Sequence, residues 1–341
     1  MTIDKKITSE LKGWGAITRK YVTPDHRKAT VQLLNTIPPF LAIWGLMYWS
    51  LDYSYALTLL LSLLNGLFLV RIFVIQHDCG HQSFLKSTKM NNFIGTFCSI
   101  LTSIPYQYWS KVHGYHHTHS GQLEVRDIGD IDFLTVQEYH ALSPIRKRLY
   151  ALVRFPLVLF FFAPLGYLIY SNRYPLRFKE ERKILFMQLL NNILIFSIYG
   201  ILAYFLGWKN FVLIQLPVLI VFVSVAFWFF YVQHQHEFAY KNWEKDWNYL
   251  LSAIRGSTYY DLPPILHWFS ANIGYHHIHH LNCGIPNYNL AKCAEENPIF
   301  QKYVTKINLR ESLQCMSNKL WDEKSERMIT FKEYRKIKMS E

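Results

Sequence analysis

Histidine is the residue type best placed to do chemistry in this chain, because it comes in clusters. The first cluster reads His77-Asp78-Cys79-Gly80-His81, the second His113-Gly114-Tyr115-His116-His117, and the third His276-His277-Ile278-His279-His280. A smaller group reads Gln233-His234-Gln235-His236-Glu237. With His119 just past the second cluster, these hold 12 of the 15 histidines, and His26, His140 and His267 lie outside. Imidazole suits iron, copper, zinc and nickel, so the clusters point to a nitrogen-rich transition-metal site. On a helix, positions i, i+3 and i+4 share one face. His-x-x-x-His and His-x-x-His-His therefore direct two or three rings at one point.

Two histidines from the first cluster, three from each His-x-x-His-His pattern, and His234 supply nine nitrogens. One tetrahedral zinc cannot use that many. Two metals sharing them with positions left open would make a dinuclear redox centre. A Glu beside the first His of His-x-x-x-His would suggest a zinc metalloprotease, but here the neighbour is Asp78. A solvated histidine-rich surface would not repeat His-x-x-His-His twice beside apolar runs.

Those apolar runs must position the clusters. Hydrophobic residues make up 51% of the 341 and aromatics 17%. Segments 31–50, 54–75, 184–206 and 211–232 are nearly free of charge and hold 20 to 23 residues each. At ~1.5 Å per residue that is roughly 30 Å or more, enough to cross a bilayer. The expected fold is an all-α, multi-pass integral membrane protein forming a single domain over 1–341. Its four spans make two hairpins, and a cytoplasmic helical cap carries the di-metal histidine site. Segment 93–104 is too short to span and reads as interfacial or re-entrant. Segment 152–169 carries Pro156 and Pro164. A full crossing there would put the third cluster on the opposite side from the first, so it too reads as re-entrant or surface-lying. The second and fourth spans run straight into His77 and His234, which lifts those residues about one turn above the lipid.

Basic residues set the expected orientation. Lys5, Lys6, Lys12, Arg19, Lys20, Arg27 and Lys28 precede the first span, and 77–183 is again rich in Lys and Arg, whereas the loop near Asp52 has none. The positive-inside rule then predicts cytoplasmic termini, boxes and C-terminal region 233–341, in a bacterial inner or plasma membrane. The net charge of +12 would sit against anionic lipid. It flanks spans instead of forming one patch, which argues against a nucleic-acid partner. No secretory signal is discernible at the N-terminus, and the five cysteines form no CxxC pair, in keeping with a reducing compartment. A metal transporter would need ionisable residues in mid-span. The spans contain Asn65, Asn191 and Asn192 but no mid-span His or acid.

The motifs HDCGHQSF at 77–84, WSKVHGYHHTHSG at 109–121, YVQHQHE at 231–237 and WFSANIGYHHIHHL at 268–281 resemble those of integral-membrane fatty acid desaturases. The branch is the acyl-lipid one, Δ12/ω-3 and bacterial Δ5-like, and the likeness extends over about residues 30 to 295. It implies two iron ions held by His77, His81, His113, His116, His117, His234, His276, His279 and His280. It also implies O2 as co-substrate and a fatty-acyl chain, lipid-linked, that gains a cis double bond. The alternative on the same scaffold is a hydroxylase or other di-iron oxygenase. The His-x-x-x-His first box lowers the acyl-CoA Δ9 subclass. There is no HPGG haem motif and no GxGxxG fingerprint, so electrons must come from a separate ferredoxin or cytochrome b5 type donor.

Residues beyond the nine are expected in supporting roles. Asp78 and His277 are candidates to orient ligands through hydrogen bonds, with Asp127, Asp130, Asp132 and Glu237 as further acids able to offset the charge. Asn272, one turn before His276 if a helix extends back that far, is a candidate to hold a metal-bound water. Trp109, Tyr115, Trp268 and Phe269 are candidates to line an apolar tunnel entered from the membrane. Arg71, near the end of the second span, either serves the site or snorkels to the headgroups. The region 296–341 reads as a polar helical tail.

Overall fold

In the computed structural model, residues 2–340 are described, apart from Pro175, Leu176 and Lys179. The principal helices are α1 (Ile37–Ser50), α2 (Tyr55–Gly80), α3 (Thr88–Thr102), α4 (Tyr106–His119), α5 (Arg182–Leu206), α6 (Trp208–His234) and the short α7 (His276–Leu281). Four helical segments are long and apolar enough to cross a membrane: His26–Ser50, α2, α5 and α6, of 25 to 27 residues each. The first is broken at Asn35 and Thr36, because Pro38 and Pro39 lack the N–H groups that would continue the ladder from His26–Leu34. Gly207, at φ 81°, makes the tight turn between α5 and α6.

Helices α2 and α6 run side by side in the same direction and form the spine. Gly66 permits their contact, since a Cβ there would lie 2.4 Å from Val221 Cγ1. Small residues at such crossings let backbones approach closely. Both helices outrun their apolar stretches, so α2 carries His77 and α6 carries His234 at the same end. Helix α3 takes in 93–102 of the predicted short piece at 93–104 and packs on α2. It ends at Ser103 in a left-handed conformation. The 152–169 stretch is interrupted, and Val158–Ser171 turns by 62° from Pro144–Val153, with Pro156 in the break.

The expectation of an all-α chain needs correction. Five short strands form two small sheets. Thr258–Asp261 pairs in parallel with Thr305–Asn308, and Leu320–Asp322 lies between Leu134–Thr135 and Arg327–Ile329. Strands of two to four residues are too short to show alternation. They form because connector backbone groups still need partners. The region 296–341 is likewise no free helical tail. Trp321 is buried, Tyr150 Oη donates to Lys319 O at 2.6 Å, and Arg154 Nη2 donates to Asn318 O at 3.2 Å.

Arg71 does not snorkel. It is 7% exposed, and its Nε donates to Thr36 Oγ1 at 3.0 Å. Its Nη1 donates to Trp268 O, and the guanidinium lies 4.1 Å from the centre of the Trp268 ring. One side chain thus ties the break in the first apolar segment to the short helix Pro264–Phe269 that precedes α7. Truncation would remove both hydrogen bonds and the contact with the Trp268 ring. We expect Arg71→Ala to lose about 1–3 kcal/mol of stability, read as a lower melting temperature in detergent. An unchanged melting temperature would show that the tie contributes nothing.

Candidate metal centre

The nine histidines come from four separate segments and meet at the ends of α2 and α6. His77 closes α2 and His81 caps it. Helix α4 brings His113, His116 and His117 on one face, as i, i+3, i+4 spacing requires. Helix α7 brings His276, His279 and His280 in the same way, and His234 ends α6. They sort into two groups able to hold a metal ion. His77, His81, His113, His117 and His279 place ring nitrogens within 4.8 Å of one another, as do His116, His234 and His280. His276 adjoins the second group, with Nε2 2.9 Å from His234 Nε2 and 3.1 Å from His280 Nε2. The groups are neighbours: the His117 and His280 rings stack at 4.2 Å.

The donor set suits metal ions. His77 Nε2 and His81 Nε2 are buried without hydrogen-bond partners. Other ring nitrogens face only one another, as His117 Nε2 does His113 Nε2 and His279 Nε2, each at 3.0 Å. Neutral rings brought nitrogen to nitrogen cannot satisfy every lone pair, whereas metal ions can. Burial keeps the rings neutral. It pushes His81, His113, His117, His276, His279 and His280 well below the usual histidine range. His116 is pushed down to about 3, by burial first and then by the Lys241 ammonium.

Among the acids, Asp78 adjoins the cluster. Its Oδ1 lies 3.0 Å from His77 Nδ1, and its Oδ2 accepts from Asn287 N at 2.6 Å and Asn287 Nδ2 at 2.8 Å. The carboxylate thus fixes the His77 ring so that Nε2 faces the centre. Asp127 pairs with Arg177, Asp132 Oδ1 lies 3.5 Å from Arg126 Nε, and Glu237 pairs with Arg327 at 3.1 Å. Asp130 borders the cavity described below, and burial pushes its carboxyl up.

Other candidates lie elsewhere. Helix α7 begins only at His276, so Asn272 is not one turn up a helix. It sits in a left-handed turn at φ 61°, next to Ala271 at φ 46°, a conformation Asn tolerates. His277 faces Tyr259, ring to ring at 6.3 Å, and Gln301 at 3.2 Å. His119 stacks on Tyr115 at 4.0 Å. Sequence reasoning missed Asn287, Lys241 and Tyr249. Lys241 is buried, and its Nζ donates to His234 O at 3.1 Å. Tyr249 Oη donates to His280 O at 2.6 Å. None carries a spacing signal, since each acts through contacts made by the tertiary fold.

A cavity of about 630 Å³ opens beside the cluster, between α2, α4, α6 and the bent segment. Its walls are chiefly apolar, with Phe73, Trp109, Phe222 and Phe230 among them. His77, His113 and His276 border it, and so do Asp127 and Arg177, whose side chains are partly exposed. Trp109 is thus in the lining, whereas Tyr115, Trp268 and Phe269 are not. Trp268 and Phe269 pack edge-on against Phe68 instead.

A family model described as fatty acid desaturase matches residues 53–310. A fatty acid desaturase of Bacillus subtilis is 39% identical over 320 residues, covering 94% of this chain and 90% of the relative. An sn-1 acyl-lipid omega-3 desaturase (ferredoxin) of Nostoc is 29% identical, covering 77% of this chain and 74% of the relative. An sn-1 oleoyl-lipid 12-desaturase of Picosynechococcus is 27% identical over 67% of this chain and 65% of its own length.

We expect His→Ala at any of the nine positions to lower bound metal in purified, correctly inserted protein, with His26→Ala at wild-type content. Asp78→Ala and Asn287→Ala should weaken metal affinity by roughly 10- to 100-fold, as loss of a ligand-orienting partner does. Elemental analysis after dialysis against a graded chelator reads both. Full metal retention in His113→Ala or His279→Ala would remove those residues from the site.

Proposed function

This chain belongs to the fatty acid desaturase family and is a fatty acid desaturase, and from that premise we propose how its residues carry the reaction. The nine histidines are the ligands of two iron ions, and the substrate is a fatty-acyl chain on a membrane lipid. The observation that carries this reading is the apolar cavity of about 630 Å³ that ends on His77, His113 and His276. Its volume lies in the range of about 300–1,000 Å³ typical of ligand sites, and its apolar walls suit hydrocarbon.

Bound iron would supply the O2-derived oxidising power that removal of two hydrogens from an unactivated CH2–CH2 unit requires. The protein's own contribution is binding, orientation and exclusion of water. Trp109 stacks on His113 at 4.6 Å and meets Phe73 at 5.0 Å. Those two rings line the cavity beside the ligands, where they would hold a methylene pair against the centre. Asp78 holds His77, Tyr249 holds the backbone of α7 and Lys241 holds the end of α6. The nine rings therefore need not reorganise during turnover, and pre-set geometry of this kind lowers a barrier.

The reaction consumes four electrons per O2 reduced to water, of which the substrate gives two. The other two come from a separate protein, a ferredoxin or cytochrome b5 type donor, and the name of the Nostoc relative supports the former. The four long helices cross the membrane with termini and boxes on the cytoplasmic side. The Lys and Arg before α1 and along 77–183 support that orientation, as does the common end at which α2 and α6 present their histidines.

Expression in a host that makes no polyunsaturated fatty acids is expected to yield acyl chains with a new cis double bond and no hydroxyl. The purified protein should be inactive with O2 and lipid alone and active once a reduced ferredoxin or cytochrome b5 system is added. A dominant hydroxy-acid product would transfer the assignment to a hydroxylase, and turnover with NAD(P)H alone would show a reductase site within the chain.

For orientation, impermeant thiol reagents applied to intact cells should label Asp52→Cys and spare Ser143→Cys. Labelling of residue 143 from outside would break the proposed topology.

A further inference from the structure

Helices α2 and α6 border a second apolar cavity, a groove of about 640 Å³ on the far side of their crossing from the histidines. It is lined from α2 by Tyr55, Leu59 and Leu63 and from α6 by Leu216, Pro217 and Val221, among others. Leu59, Leu63 and Leu216 are 42%, 54% and 44% exposed, so this groove opens outward. The histidine-bordered cavity uses the same two helices further along, from Val70 on α2 and from Phe222 on α6. Consecutive residues thus face different cavities: Val221 lines the outer groove and Phe222 the inner cavity. The side chains at this level form the layer between the two.

Gly66 lets that layer close. A Cβ there would meet Val221 Cγ1 at 2.4 Å and Phe222 N at 3.4 Å, so the backbones touch at this level. Val70 stands one turn above Gly66 and is 4% exposed; Phe222 is fully buried. The Phe222 ring meets Phe73 edge-on at 5.5 Å. Gly66 lies eleven residues before His77, ~16 Å along the helix. The inner cavity is also bordered by Asp127 and Arg177, which are partly exposed to solvent, whereas Val70 and Phe222 are buried. A substrate with one polar and one apolar end would therefore enter with its polar end at that pair and its methyl end toward the crossing.

We propose that Val70 and Phe222, closed from behind by the Gly66–Val221 contact, are the floor against which the methyl end of the acyl chain rests, and so set the longest chain accepted. This rests on the acyl-substrate reading above. Each methylene that an apolar pocket admits or rejects changes discrimination roughly tenfold or more. Removing the Phe222 ring opens the floor toward the outer groove, and adding a ring at Val70 raises it.

The test compares wild type, Phe222→Ala and Val70→Phe in two assays. In the first, cells are fed saturated fatty acids of increasing length and the length distribution of the desaturated products is measured. Phe222→Ala is expected to raise the ratio of longer to native-length product at least roughly tenfold, and Val70→Phe to shift it equally toward shorter chains. The second assay needs no turnover. Saturated fatty acid methyl esters of increasing length are added to purified protein, and the melting temperature is followed. For wild type the stabilisation should stop rising at one length. That plateau should move up in Phe222→Ala and down in Val70→Phe, and either shift alone suffices should the other variant fail to insert. A plateau at the wild-type length in an inserted variant overturns the proposal. A wild-type protein that makes no double bond but shows the plateau and its shifts would instead overturn the desaturase reading while leaving the floor in place.

Discussion

Neutral imidazole, kept neutral by burial, is the constraint on which the remainder of this structure depends. A protonated ring has no lone pair for a metal, and a ring in water titrates near neutrality. Grouping eight or nine rings at one locus would also be self-defeating if they were charged, since each would repel the others. Desolvation removes both difficulties at once, and it is the leading cause of the downward shift at His113, His117, His279 and His280. Burial on that scale needs walls on every side. Helices α4 and α7, the ends of α2 and α6, and the strand Thr258–Asp261 against α7 supply them.

The same constraint explains why the long helices are longer than their apolar stretches. A membrane segment satisfies its own backbone polar groups but offers no room beside its apolar side chains for a cluster of nine polar rings. By running on to Gly80 and His234, α2 and α6 carry ligands out of the apolar zone while staying rigid. Their contact at Gly66 fixes one against the other, so His77 and His234 come from a common frame. Arg71, reaching Thr36 and Trp268, extends that frame to the first apolar segment and to the chain that leads into α7.

What the sequence revealed follows from which signals are periodic. Histidines at i, i+3, i+4 and apolar runs of 20 or more residues are local patterns, and both appear in the fold at those positions. The five strands left no such trace, because pairings such as Tyr259 with Lys306 join segments distant in sequence. Asn272 was misplaced for a related reason: the spacing to His276 assumed a helix, and the chain instead turns through two left-handed residues there. Asn287 could not be found at all, since its bond to Asp78 crosses 209 positions. Asp78 was legible only because it is adjacent to His77.

The fold also explains how one centre could serve two opposed demands. Its ligands require desolvation, while its fatty-acyl substrate must still reach it. An apolar cavity meets both together, since walls that exclude water from His77 and His113 are the walls that would accept hydrocarbon. Trp109 embodies this economy: one face stacks on His113 and an edge meets Phe73. A polar residue at that position would hydrate the ligands and repel the chain in a single change. Acyl specificity and metal-site integrity are therefore coupled near the histidines and separable only further down the cavity. Val70 and Phe222, seven and twelve positions before His77 and His234 on their helices, touch no ligand ring, and at their level chain length could vary with least cost to the centre.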